Sequence, residues 1–305
     1  MKRIKFLIVA LLVCAASTAQ TTSEGFKAKY DRQVRIVGSD GVGVELILDK
    51  WAEAFPDDPD MLTGRFVYYL SKSQSTTAVP KKLDKYLGQK PIVSLKDSTG
   101  ADVNYFQETV YVDSLFAKAS SAIDRAVALF PNDLGYRVEK INALVGYEKE
   151  SPDMALSEIL TLIDRDQNLK PEWTSNGKPL QAGDFNLVIQ DYCYTFFQLG
   201  MPGTYEAFRT ISERMLKSDP KNVEYLNNLG SYWLVAQKNS KQAMKYYNKV
   251  LKLDPKNYSA AKNCVLSARR DKNAKLEKKY LPILISATDS ETEKMSCEAR
   301  LKALN

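Results

Sequence analysis

The 305-residue chain contains no histidine. That absence closes Ser-His-Asp and Cys-His nucleophile activation, HExxH zinc chemistry and histidine proton shuttling together. Cysteine is scarce as well, with four residues and no CxxC pair. Cys14 lies in a segment expected to be removed, which leaves Cys193, Cys264 and Cys297, an odd number and no disulfide framework. A single Cys264–Cys297 bridge stays open in an oxidising compartment. A large excess of one charge is also missing. The formal charge is +6, and without Lys2, Arg3 and Lys5 it falls to about +3, too little to argue for nucleic acid. No segment approaches the roughly 18 apolar residues that a transmembrane helix needs. What remains is ordinary globular composition, 44% hydrophobic and 26% charged, enough for one large domain or an extended array.

The N-terminus reads as a secretory signal. Met1 to Lys5 are basic, Phe6 to Ala16 are apolar, and Ser17-Thr18-Ala19 supplies small residues before a cut at Gln20. Residues 1–19 are therefore expected to be removed, and residues 20–305 to form the mature, exported protein, periplasmic by this reading. A lipoprotein signal cleaving before Cys14 is the rival, but Val13 is larger than such signals want.

Internal periodicity carries the strongest signal. From Leu229-Gly230 the chain runs through Trp233, Ala243, Tyr247 and Val250 to Pro255. Counting back 12, 8 and 5 residues from Pro131 finds Ala119, Ile123 and Ala126, and from Pro56 it finds Val44, Leu48 and Trp51. From Gln167 it finds Ala155, Ile159 and Leu162. Pro220 fits more loosely, with Phe208, Ser212 and Met215, and with Ala207 and Ile211 one position off. The reference points 56, 131, 167, 220 and 255 are 75, 36, 53 and 35 residues apart. Two of these match one repeat; the 53 is one repeat plus a segment, and the 75 is two repeats or one with a long insertion.

The segment Asn222 to Pro255 resembles the tetratricopeptide repeat, a helix-turn-helix of 34 residues, with one extra residue placed near Lys238-Asn239. The resemblance implies an all-α, TPR-like helix-turn-helix solenoid in which small residues let paired helices approach and the terminal Pro ends helix B. Helix A of each copy is read from Leu62, Phe66, Tyr69 and Leu70, and from Val138, Ile141, Leu144 and Val145. Leu187 to Leu199 is apolar almost all round, through Tyr192, Cys193, Phe196 and Phe197, and is expected to be buried on both sides.

Two segments break the pattern. Residues 88–112 predict a β-hairpin: Ile92 to Leu95, a turn over Asp97 to Gly100, then Val103 to Tyr111. Residues 170–184, with Pro171, Trp173, Asn176-Gly177 and Pro179, predict an irregular loop. Beyond Pro255, Tyr258 to Arg270 predicts another helix A with Cys264 in its core, and Asn273 to Ala287 a helix B interrupted by Pro282. A polar helix over 290–304 predicts the cap that an open-ended array needs. Gly38 to Gly43 reads as a flexible turn before the first clear helix.

Other motifs fail their context. Ser259-Ala260-Ala261-Lys262 has the SxxK form but no SDN or KTG partner. Asp164, Asp166 and Asn168 open like a calcium loop, yet Leu169 and Ser175 stand where Gly and Glu are required. Gly38, Gly41 and Gly43 do not make GxGxxG. The basic run from Arg269 to Lys279 reads as a solvated face.

No catalytic residue, cofactor or metal site emerges, so the chain reads as a scaffold or adaptor for envelope proteins rather than an enzyme. The resemblance implies a partner groove lined by helix A. Its positions would be Glu224, Asn227 and Ser231 in one copy, and Ser259, Lys262, Leu266, Arg269 and Arg270 in the next. A protein or peptide is the partner this implies. The alternative is a glycan or peptidoglycan stacking on Trp173, the one tryptophan without a packing position in the repeat. A hydrolase working through carboxylates alone would need an acidic pair that no spacing identifies.

Overall fold

The computed structural model describes residues 22–175 and 177–304. The expected signal segment, Cys14 and Asn176 lie outside the described residues. The described chain is helical apart from two small antiparallel sheets, and it forms two compact units.

The first unit comprises the described residues through Asp84, Pro91–Tyr147 and Pro171–Leu180. It opens with α1 (Ser23–Val37), α2 (Val44–Ala54) and α3 (Pro59–Ser73). α1 precedes the Gly38 to Gly43 turn, so regular structure starts earlier than the sequence suggests. Its signal is weak because it buries no residue completely. Its Phe26, Tyr30 and Val34, four residues apart, nevertheless pack against the core built by Leu48, Trp51, Phe66 and Ile123. The Trp51 indole N–H donates to Ser23 Oγ at 3.1 Å, which ties the start of α1 to α2.

A three-stranded sheet follows: β1 (Gln74–Lys81), β2 (Val93–Lys96) and β3 (Asp102–Tyr111), in the order β1-β3-β2. β2 and β3 form the expected hairpin, with Val93 opposite Tyr105 and Lys96 opposite Asp102. Its turn is closed by Asp97 Oδ1, which accepts from the Thr99 hydroxyl and from the amides of Thr99 and Ala101. β1 leaves no strand signature in the sequence. It continues from α3 without a turn signal, and its Gln-Ser-Thr-Thr start is polar because nearly every residue is exposed. Pro80 fits there because β1 is an edge strand.

α4 (Asp113–Leu129) then packs on α3. The 75-residue interval is thus one repeat whose two helices are held apart in sequence by the sheet. α5 (Leu134–Glu148) follows. Between Pro171 and Leu180, β4 (Thr174–Ser175) pairs with β5 (Lys178–Pro179), so the predicted irregular loop contains a short hairpin. Trp173 is buried, at 7% exposure.

The second unit comprises Lys85–Lys90, Glu148–Lys170 and Gln181–Asn305. Its helices are α6 (Asp153–Leu169), α7 (Asp184–Leu199), α8 (Pro202–Ser218), α9 (Val223–Ser231), α10 (Ser240–Leu253), α11 (Tyr258–Arg270), α12 (Ala274–Ala287) and α13 (Glu291–Ala303). From α7 to α13 each packs on the next, the nearest-neighbour pattern of a repeat array.

The counting ruler holds at every copy. Val44, Ala119, Ala155 and Ala243 are buried, as are Leu48, Ile123, Ile159 and Tyr247, and Trp51, Ala126, Leu162 and Val250. In α8 all five loosely phased residues, Ala207, Phe208, Ile211, Ser212 and Met215, are interior. The repeats are therefore helix-turn-helix units, the fold that the tetratricopeptide resemblance implies.

Two details differ from the sequence reading. The extra residue is not in the turn at Lys238-Asn239. Tyr232–Ala236 continue α9 as one π-helical turn, in which the Gln237 amide donates to the Tyr232 carbonyl. A π-turn absorbs one residue inside a helix and leaves the packing on either side in phase. Pro282 does not interrupt α12. It lies on the exposed side, as does Lys278 four residues before it, so water reaches the carbonyl that loses its partner. Cys193, Cys264 and Cys297 are all free and buried, the last two within the core shared by α11, α12 and α13.

The short segment Lys85–Lys90 is clipped in place by a turn in which Tyr86 and Gln89 exchange both backbone hydrogen bonds. Leu87 and Gly88 carry positive φ, 48° and 76°, and a Cβ on Gly88 would come within 2.5 Å of the Gln198 carbonyl oxygen. Gly88→Ala is expected to cost about 2 kcal/mol locally. Tryptic cleavage at Lys85 should quicken several-fold; unchanged cleavage would show that the backbone contact is dispensable.

Candidate functional site

Repeat geometry identifies corresponding helix-A positions in the second unit. Tyr192-Cys193 in α7 stands where Leu229-Gly230 stands in α9 and Cys264-Val265 in α11, all of them interior. The same offsets place Leu187, Gln190 and Tyr194 with Glu224, Asn227 and Ser231, and with Ser259, Lys262 and Leu266. These residues face away from the packed side of their helices. α7 is consequently not buried on both sides: Leu187 is 63% exposed and Tyr194 64%. In α11 Leu266 is 45% exposed, and Val235, in the π-turn, 43%.

The middle row of these positions is tied from helix to helix. Gln190 and Asn228 exchange amide hydrogen bonds at 3.0 and 3.2 Å. The Asn227 amide donates to Asn257 Oδ1, the N-cap of α11, at 3.1 Å. Lys262 pairs with Glu293 in the first turn of α13 at 3.1 Å. Each link runs from one helix A to the next helix-A-like element, so the row fixes spacing. The Asn227 side-chain carbonyl oxygen is buried with no donor. That carbonyl is an unspent acceptor on this face.

The charged residues of the expected groove are already engaged. Lys262 Nζ also donates to the Tyr258 hydroxyl at 2.6 Å; that bond and Glu293 hold its pKa above the usual lysine value. Glu293 is lowered, first by the Thr288 hydroxyl and also by Lys262. Arg269 Nε donates to Glu277 at 2.6 Å. Arg270 turns back to α9 and α10, donating to the Leu234 carbonyl at 2.6 Å and to Ser240 Oγ. Of the expected groove residues, Glu224 and Ser259 are exposed, and Ser231 shares a hydrogen bond with Tyr247. A carboxylate entering beside α11 would therefore meet cations that already have acidic partners.

Leu187, Tyr194 and Val235 are not among the groove positions that the sequence suggests. The ruler finds the first two once it is carried back from α9 to α7. Their signal is masked because a helix as apolar as α7 reads as wholly interior. Val235 has no sequence signal of this kind, since the π-turn shifts the phase after Ser231.

Chemically the face is adhesive rather than reactive. Exposed apolar side chains flank a row of amides that are bonded from helix to helix. The thiols are unsuited to catalysis, because burial pushes Cys193 and Cys264 up to about 12. Among the described residues no group of three His, Cys, Asp or Glu side chains could hold a metal ion, and no helix is long and apolar enough to cross a membrane. Buried Trp173 offers no free ring for a sugar.

No protein-family model and no curated protein matches the chain. Among solved structures it aligns with the flexible tandem repeat domain of a bacterial cellulose synthase component, at 15% identity. That alignment covers 94% of this chain and 96% of that one, with a TM-score of 0.29. It also aligns with yeast Tom70 at 10% identity, covering 92% of this chain and 59% of that one, with a TM-score of 0.32. Superpositions this loose say nothing of partner or substrate, and the helix pairs described above carry the repeat assignment.

Proposed function

We propose that this tetratricopeptide-like repeat protein is a non-enzymatic scaffold that binds a protein or peptide along the helix-A face of its second unit. The observation that carries the reading is the exposure of Leu187, Tyr194, Val235 and Leu266 on three successive helix-A elements. Large apolar residues left exposed on successive elements of a repeat array are the usual mark of a contact surface. From the N-terminal segment we further place the protein outside the cytoplasm, in a cell envelope, where it would assemble other envelope proteins. Fractionation of cells expressing the full chain tests that placement, and full-length protein retained in the cytosol would refute it.

The test of the face is in-cell crosslinking with mass spectrometry, run on the native chain beside a Tyr194→Ala, Leu266→Ala variant. Removing two central apolar anchors is expected to weaken a bound partner about 100-fold. A protein captured by the native form and lost from the variant supports the site. Equal capture by both would move binding elsewhere on the molecule.

A further inference from the structure

The first unit holds a second surface, chemically unlike the helix-A face. α3 forms the floor of a cleft of about 420 Å³ between α2 and α4. Arg65, Lys118 and Arg125 line it together with Tyr69, Ser121 and the buried Leu62. By repeat phase α2 and α4 are both B helices, so the cleft opens on the helix-B side of α3.

Its cations are unequally satisfied. Arg125 is spent, giving both Nε and Nη2 to Asp57. Arg65 gives Nη2 to Asp49, while its Nε–H is buried without an acceptor. Lys118 has no carboxylate partner among the described residues; its ammonium lies over the Tyr69 ring, 5.0 Å from the centroid. Glu45, whose charge Lys118 feels, is already held by the hydroxyls of Tyr68 and Tyr69 at 3.0 Å and by Lys72. One ammonium without a carboxylate partner therefore stands over an apolar-floored cleft, beside a guanidinium that Asp49 engages through Nη2 only.

We infer that this cleft binds an acidic side chain of a peptide partner, its carboxylate between Lys118 and Arg65 and its stem on Leu62. A carboxylate on an alkyl stem satisfies both halves of the lining. Charge-assisted bonds to ammonium and guanidinium are the stronger kind, and the floor rewards the methylenes. A free inorganic anion would use the cations alone.

Fluorescence anisotropy on the full mature chain decides it. The probe is a labelled peptide of alternating glutamate and leucine, with its glutamine analogue as control. The native protein should prefer the acidic peptide by about 10-fold, and Lys118→Gln should remove that preference. Arg65→Gln should act in the same direction, with circular dichroism checking the fold, since Asp49 loses its partner there. The preference for glutamate over glutamine should persist in the Tyr194→Ala, Leu266→Ala variant whatever its total binding, which separates this cleft from the helix-A face. Equal binding of the two peptides, or an unchanged preference in Lys118→Gln, would overturn the inference. Displacement by an equal concentration of inorganic phosphate would overturn it too, assigning the cleft to a free anion.

Discussion

Replacing Glu277 by glutamine is expected to release the C-terminal cap. The Glu277 side chain is 3% exposed and receives Arg300 through Nε and Nη2, at 2.9 and 2.8 Å, and Arg269 through Nε at 2.6 Å. One carboxylate on α12 thus clamps α11 to α13. Losing it leaves a polar group buried without its two cations, at a cost of about 2 kcal/mol. That lies below the range for a fully buried triad, because both arginines are nearly half exposed and regain water. Cys297 reports the event, since it is the buried residue of α13, 5% exposed and packed in the core shared with α11 and α12. Its labelling by dithiodipyridine should speed up about 30-fold, while Cys193, far along the array, stays protected. An unchanged rate at Cys297 would mean that apolar packing alone holds the cap.

The same clamp makes the cap acid-sensitive. The arginines, Arg300 first, lower Glu277 from an ordinary 4.5 to about 2 in the folded protein. Between these values the unfolded state binds more protons than the folded one, so stability rises with pH and is lost as pH drops. The contribution is complete above about pH 4.5 and disappears as pH drops toward 2. Cys297 labelling of the native chain should rise across that window. Glu277→Gln, having nothing to titrate there, should label quickly throughout.

The second large effect is expected from Gly230→Ala. In an exposed helix this change would be favourable by about 1 kcal/mol. Here the new Cβ would meet the Tyr247 ring at 2.4 to 2.8 Å, and that ring is fully buried between Ala243 and Val250 of the repeat core. Tyr247 cannot turn aside, because its hydroxyl also pairs with Ser231 at 3.3 Å. Overpacking should exceed the propensity gain and leave a net loss of about 2 kcal/mol in urea unfolding. Combining it with Tyr247→Leu should recover more than about 1 kcal/mol relative to the sum of the single changes, the mark of residues in direct contact. A more stable Gly230→Ala protein would show that α9 and α10 approach less closely than the structure has them.

Much of the architecture was legible because close helix packing restricts residue type. At 12, 8 and 5 residues before each reference point the chain must bury a side chain between two helices, and Val44, Ala119, Ala155 and Ala243 reveal that without coordinates. Core positions repeat, so a ruler finds them. Binding positions need not repeat. Lys262 and Arg269 read as free cations because their acidic partners, Glu293 and Glu277, come from other helices. Lys118 carries no sequence signal at all, since its distinction is the lack of such a partner.

The sequence by itself determined the helix-turn-helix repeat, its phase, the β insertion and the absence of histidine chemistry, all properties of local spacing and composition. Tertiary structure decided three further matters. It put β1 beside β3 and so made the 75-residue interval a single interrupted repeat. It absorbed the extra residue of Asn222 to Pro255 in a π-turn, where the helix could lengthen without moving its neighbours. It also settled which charges and apolar side chains remain unpartnered. That property belongs to pairs of distant residues, and no single stretch of chain contains it.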